Sequence, residues 1–102
     1  MLIGYLDEAE ARIEEIIAQL HSVNPLAASR FLRSLERVHE RLARYPRSGY
    51  RIPEFPQHRC REFVVRPYRF FYFVDEAQKM IWIVDVWHGA QLPTAPQLPA
   101  LY

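Results

Sequence analysis

The stretch REFVVRPYRFFYFV, residues 61–74, decides the fold. It reads as two strands joined at Arg66-Pro67-Tyr68. Successive side chains of a strand point to opposite faces. In the second strand Phe71 and Phe73 therefore share one side, and Phe70, Tyr72 and Val74 share the other. Arg69 opens that strand on the side of Phe71 and Phe73. A strand apolar on both sides requires cover on both sides.

Downstream, residues 80–87 give a third strand pattern, and the first of the three begins near residue 59. The links at 66–68 and 75–79 are short, which predicts an antiparallel meander. Upstream, residues 47–58 (RSGYRIPEFPQH) read as a loop from their Pro and Gly content. Before it, Ala28, Phe31, Leu32, Leu35, Val38, Leu42 and Tyr45 recur at helical spacing. Asn24-Pro25 supplies an N-cap and a first helical residue, and Pro46 and Gly49 end the run. An earlier helix carries Leu6, Ala9, Ile13, Ile16, Ile17 and Leu20 and fades near His21-Ser22, with Asp7 and Glu10 spaced as a capping box. Two helices with one apolar face each and a short link predict an antiparallel hairpin. Residues 1–6 leave room for a short first strand.

The expected fold is therefore α+β: a helical hairpin on one face of a small twisted antiparallel sheet, in the order β-α-α-β-β-β. One domain spans 1–90, and the Pro-rich residues 91–102 form a C-terminal tail. The hairpin covers one face of the sheet. The other, with Phe71 and Phe73, stays exposed unless the tail covers it. Leaving several rings wet forfeits several kcal/mol at ~25 cal/mol per Å2, and such a patch ordinarily marks a binding surface.

The length, 102 residues with half hydrophobic and a quarter charged, is that of one ordinary soluble domain. No apolar run approaches the ~20 residues of a membrane span, and the start lacks the pattern of a signal peptide. The lone Cys60 cannot form an internal disulfide and reads as a packed thiol, which points to the cytoplasm. The histidines have no metal-ligand spacing, and the three isolated glycines form no phosphate-cradling loop, so neither a metal nor a cofactor is expected. The net charge is +1, yet residues 30–69 hold 11 Arg against 4 Glu. On the second helix Arg30, Arg33, Arg37, Arg41 and Arg44 form a stripe at spacings of three and four. Such a stripe is either a solvated face or the contact for an anionic partner.

Three segments, NPLAASRFLRSLERVHERLARYPRSG, REFVVRPYRFFYFV and WIVDVWHGAQLP, together resemble the RelE/ParE superfamily of bacterial type II toxin–antitoxin (plasmid stabilisation) modules. The carrying features are the helix with its alanine pair and Phe31, the P-x-x-G after it, the R-x-x-x-V leading to Y-R-x-x-Y, and the last strand closing toward His88-Gly89. The resemblance implies a toxin whose exposed surface is covered by a cognate antitoxin. Phe71 and Phe73 would then be interface, and the stripe of Arg30, Arg33, Arg37 and Arg41 would meet antitoxin acids.

The superfamily holds two activities: ParE-like inhibition of DNA gyrase, and RelE-like metal-free cleavage of mRNA on the ribosome. Cleavage needs a base for the 2′-OH, a cation for the phosphorane and an acid for the leaving oxygen. The candidates by resemblance are Glu54 and His88 as base or acid, with Arg69 and Arg61 as phosphate clamps. A structural role competes for each: Arg69 can pair with Glu62 or Asp85 on adjacent strands, and His88 can serve as a hydrogen-bonded strand end. The set departs from the ribonuclease pattern. Gln91 stands where a cation would help, no Tyr follows His88, and Lys79 is the only lysine. The sequence therefore favours the gyrase inhibitor. The ribonuclease, and a degenerate toxin that only binds antitoxin, are the alternatives.

Overall fold

The computed structural model describes residues 1–89 and Pro96. The elements run β1 (Leu2–Tyr5), α1 (Asp7–Val23), α2 (Pro25–Arg44), β2 (Tyr50–Arg51), β3 (Arg61–Val65), β4 (Tyr68–Asp75) and β5 (Met80–His88). The class is the expected α+β, with a short first strand. Strands β3, β4 and β5 form the antiparallel meander. Two features differ from the expectation. The segment expected as loop contains β2, which pairs with Arg61 and Glu62. In addition, β1 runs parallel to β5, so the sheet is mixed, in the order β1-β5-β4-β3-β2. The meander leaves one backbone edge of β5 open, and β1 fills part of it.

Asn24 caps α2 as its spacing implied: its Oδ1 accepts from the Leu26 N–H at 3.0 Å, and Pro25 follows in the first turn. The expected capping box at Asp7 does not form. Leu6 is the N-cap of α1 and gives no side-chain bond. Its backbone N–H instead donates to the Ile83 carbonyl at 2.9 Å, so the sheet holds the helix start. The acids Asp7, Glu8 and Glu10 still lie in the first turn, where the helix dipole favours them.

The helices cover one face of the sheet. Ala9, Ile13, Phe31, Leu35 and Leu42 pack there on Phe63, Val65, Phe70, Tyr72, Ile81, Ile83 and Val86. Phe63 stacks on Phe70 with centroids 4.8 Å apart, and Phe31 meets Tyr68 edge-on at 5.7 Å. Each fully buried ring contributes about 1.5–3 kcal/mol. Leu32 and Tyr45, expected on this face, are exposed.

The opposite face corrects a second expectation. Phe71 and Phe73 are 0% and 2% exposed, not an open patch. They pack with Ile52, Cys60 and Val84, flanked by Leu6, Phe55, Trp82 and Trp87. The cover comes from the segment after β2, which carries Ile52 and Phe55 over the rings. A bulge adds to it. Phe71 pairs with Asp85 and Tyr72 with Ile83, so Val84 is the extra residue and joins Asp85 on this face. Pro96 is also buried, and its carbonyl accepts from His58 Nε2 at 2.8 Å. The rest of the expected tail, including Gln91, lies outside the described residues.

Candidate functional site

Arg69 and Glu54, read from the sequence as clamp and base, do meet. Register sets the meeting. Val64 lies opposite Arg69 and Glu62 opposite Phe71, so Glu62 stands diagonal to Arg69 on the face of Phe71. The turn after Ile52 brings Glu54 to the same place. Arg69 Nε donates to Glu62 Oε2 at 2.7 Å, and Nη2 to Glu62 Oε1 at 3.1 Å. Nη1 and Nη2 donate to the two Glu54 oxygens at 2.8 and 2.7 Å. The guanidinium also lies 5.4 Å from the centre of the Phe71 ring. Side-chain exposure is 12% for Arg69 and 7% for Glu62.

This arrangement is a clasp. One cation faces two carboxylates, so its formal charge is −1, which repels a phosphate. Four of the five guanidinium N–H bonds are already committed. The bonds from Arg69 pull the Glu54 carboxyl down to about 2. A general base works best near the operating pH, so Glu54 is a poor one. The carboxylates in turn raise the Arg69 guanidinium above its ordinary range. What the clasp does is tie the turn at Glu54 across the rings of Phe71 and Phe73.

His88 and Arg61 lie elsewhere. Tyr68 pairs with His88, and their rings meet edge-on at 5.6 Å. Tyr68 packs on Phe31, so His88 ends its strand on the helix side of the sheet, opposite to Arg69. Arg61 pairs with Tyr72 and donates from Nη1 to the Gly49 carbonyl at 3.2 Å. Along β4 that is four residues from Tyr68, or about 13 Å at ~3.3 Å per residue. The four candidates thus occupy three separate places. Of the two suggested partners for Arg69, Glu62 holds it. Asp85 pairs with Arg12 at 3.0 Å and accepts from Trp87 Nε1 at 2.9 Å.

The arginines of the helix stripe, Arg30, Arg33, Arg37, Arg41 and Arg44, are all exposed. None forms an ion pair with a described residue. Two hollows escaped the sequence reading. One, of about 500 Å3, lies between α2 and the β3–β4 turn; Leu20, Phe31, Val38, Val65 and Tyr68 form its apolar walls, with Arg30 and Arg66 beside them. The other, of about 220 Å3, is lined by Arg47, Arg59, Arg61 and Tyr72. Only the alternation of Arg59 and Arg61 hinted at the second.

A helical hairpin on a five-stranded sheet, with the strand arginine turned into a clasp, together with the family match, defines a small toxin of the RelE/ParE superfamily. Residues 3–93 match the family model described as the ParE toxin of the type II toxin–antitoxin system, parDE, and the chain belongs to that family. A search of curated proteins found no significant match. No helix among the described residues is long and apolar enough to cross a membrane.

Proposed function

We propose that this toxin inhibits DNA gyrase in the cytoplasm and is neutralised by a cognate antitoxin. The observation that carries the gyrase reading over mRNA cleavage is the double-carboxylate clasp on Arg69. The strand arginine that a ribonuclease would aim at phosphate is occupied, and His88 stands on the other face of the sheet. For antitoxin binding, the burial of Phe71 and Phe73 turns the reading to other surface. The groove between α2 and the β3–β4 turn supplies apolar surface instead, beside the exposed arginines of α2.

Purified protein is expected to inhibit gyrase supercoiling and to leave mRNA intact in a purified translation system. His88→Ala and Glu54→Gln should retain the inhibition. Arg69→Ala is a poor probe, because it strands the buried Glu62 carboxylate at a cost of about 3–5 kcal/mol. Ribosome-dependent cleavage that disappears in His88→Ala and Arg61→Ala would overturn the reading. Antitoxin binding without growth arrest would instead make the chain an interaction module.

A further inference from the structure

The smaller hollow lies just before β3 begins, beside the part of β4 that runs past the first residue of β3. Its walls are Arg47 from the turn after α2, Arg59 two residues before β3, Arg61 at the start of β3, and Tyr72, Phe73 and Val74 from β4. Its volume, about 220 Å3, is below the ~300–1,000 Å3 of drug-sized sites. It suits a small group.

The charge around it is positive. Besides the three lining arginines, Arg41 lies close enough to act on the Tyr72 hydroxyl. The acids adjacent in sequence to its walls are Glu62 and Asp75, with Glu76 just past β4; Asp75 is buried, and its Oδ1 accepts from the Gln78 N–H at 3.1 Å. Glu76 pairs with Arg47 at 2.8 Å, but both side chains are more than half exposed, so the pair is weak and exchangeable. Glu62 is committed to Arg69 on the other face. Arg61 donates to a neutral carbonyl, that of Gly49, and keeps its full charge. The Tyr72 hydroxyl accepts from the Gly49 N–H at 2.9 Å, and the side chain is fully buried, so Tyr72 is a wall of the hollow and not one of its donors. Burial holds that hydroxyl protonated.

We infer that the hollow bounded by Arg47, Arg59, Arg61 and Tyr72 is a phosphate site that takes a backbone phosphate of nucleic acid. Guanidinium forks match phosphate oxygens in geometry. Several forks around one small hollow offer more donors than a single carboxylate can accept. Phosphate, with oxygens on every side, uses them. The gyrase reading is not a premise here: the site stands on its own residues.

The test uses the purified full chain and a short fluorescent DNA duplex. The duplex should bind at low salt with little regard to sequence. Arg61→Gln and Arg47→Gln should each weaken it roughly ten-fold and reduce the salt slope by about one. Arg61→Lys should restore part of the loss. Arg47 is exposed, so its variant reports on binding even if Arg61→Gln disturbs the Gly49 contact; thermal melting checks this. Inorganic phosphate should shift the arginine Nε resonances of Arg47 and Arg61 by NMR and compete with the duplex. Unchanged duplex binding in both glutamine variants overturns the inference. So does phosphate binding with no duplex binding. A glutamate-rich peptide that binds in place of DNA, and loses affinity in the same variants, also overturns it.

Discussion

At Arg69 the guanidinium that the family resemblance would aim at phosphate is engaged within the chain. Two carboxylates from different segments use the guanidinium as a tie, and the tie holds a turn over aromatic rings. Acid should loosen it in a defined window. Glu54 has its carboxyl lowered from an ordinary 4.5 to about 2, chiefly by hydrogen bonds from Arg69. A depressed carboxylate adds stability above its unfolded value and loses it as pH falls through the folded one. The urea midpoint of Glu54→Gln should therefore lie below that of the unaltered chain above about pH 4.5, and the gap should close toward pH 2. A gap that stays constant across that range would show that the clasp does not hold the turn. Cys60 makes the complementary point. Burial pushes its thiol up to about 12, so it is a packing group and not a nucleophile.

At the scale of elements, the junction after α2 depends on Gly49. Its N–H donates to the Tyr72 hydroxyl and its carbonyl accepts from Arg61, so one residue joins the helix end to β3 and β4. A Cβ there would stand 2.5 Å from the Tyr72 oxygen and 2.7 Å from the Glu62 backbone oxygen. The backbone oxygen cannot move aside cheaply. Gly49→Ala should cost about 1–3 kcal/mol as overpacking, whereas Tyr72→Phe should cost about 1 kcal/mol as one lost hydrogen bond. Urea unfolding of both variants checks the order, and equal losses would sink the argument. Gly4 is a second close approach: a Cβ there would meet the Trp82 ring at 2.5 Å. A residue that weakens a strand by propensity thus admits the aromatic neighbour that β1 packs on.

For the whole molecule, the decisive property is asymmetric charge. A net charge of +1 conceals an exposed arginine face on α2 that forms no ion pair among the described residues. Exposed charges steer association more than they stabilise a fold. Replacing both Arg33 and Arg37 with Glu should slow antitoxin association at least ten-fold at low salt. The difference should shrink as salt rises and screens the field. Stability should stay within about 0.5 kcal/mol, as for most surface substitutions. Stopped-flow association across a salt series makes the measurement. A rate indifferent to the charge reversal would remove the stripe from the interface.

The sequence by itself determined the helices, the meander and their order, because the signals are local. Asn24-Pro25 starts a helix by its own side chain and ring, and alternation in residues 69–74 assigns each side chain to a face. The family likeness was legible for the same reason: it rests on residues close together in the chain. Tertiary structure alone decided what covers the second face. Ile52 and Phe55 reach Phe71 and Phe73 only through the path of a segment whose Pro and Gly content reveals no destination. It also decided that Arg69 meets Glu54, fifteen residues away, and that His88 lies behind the sheet from both. Alternation says which residues of one strand share a face. Register between strands, and the closing of a loop, say which of them meet. Those are set by burial and pairing across the whole fold, where no short stretch of sequence carries the information.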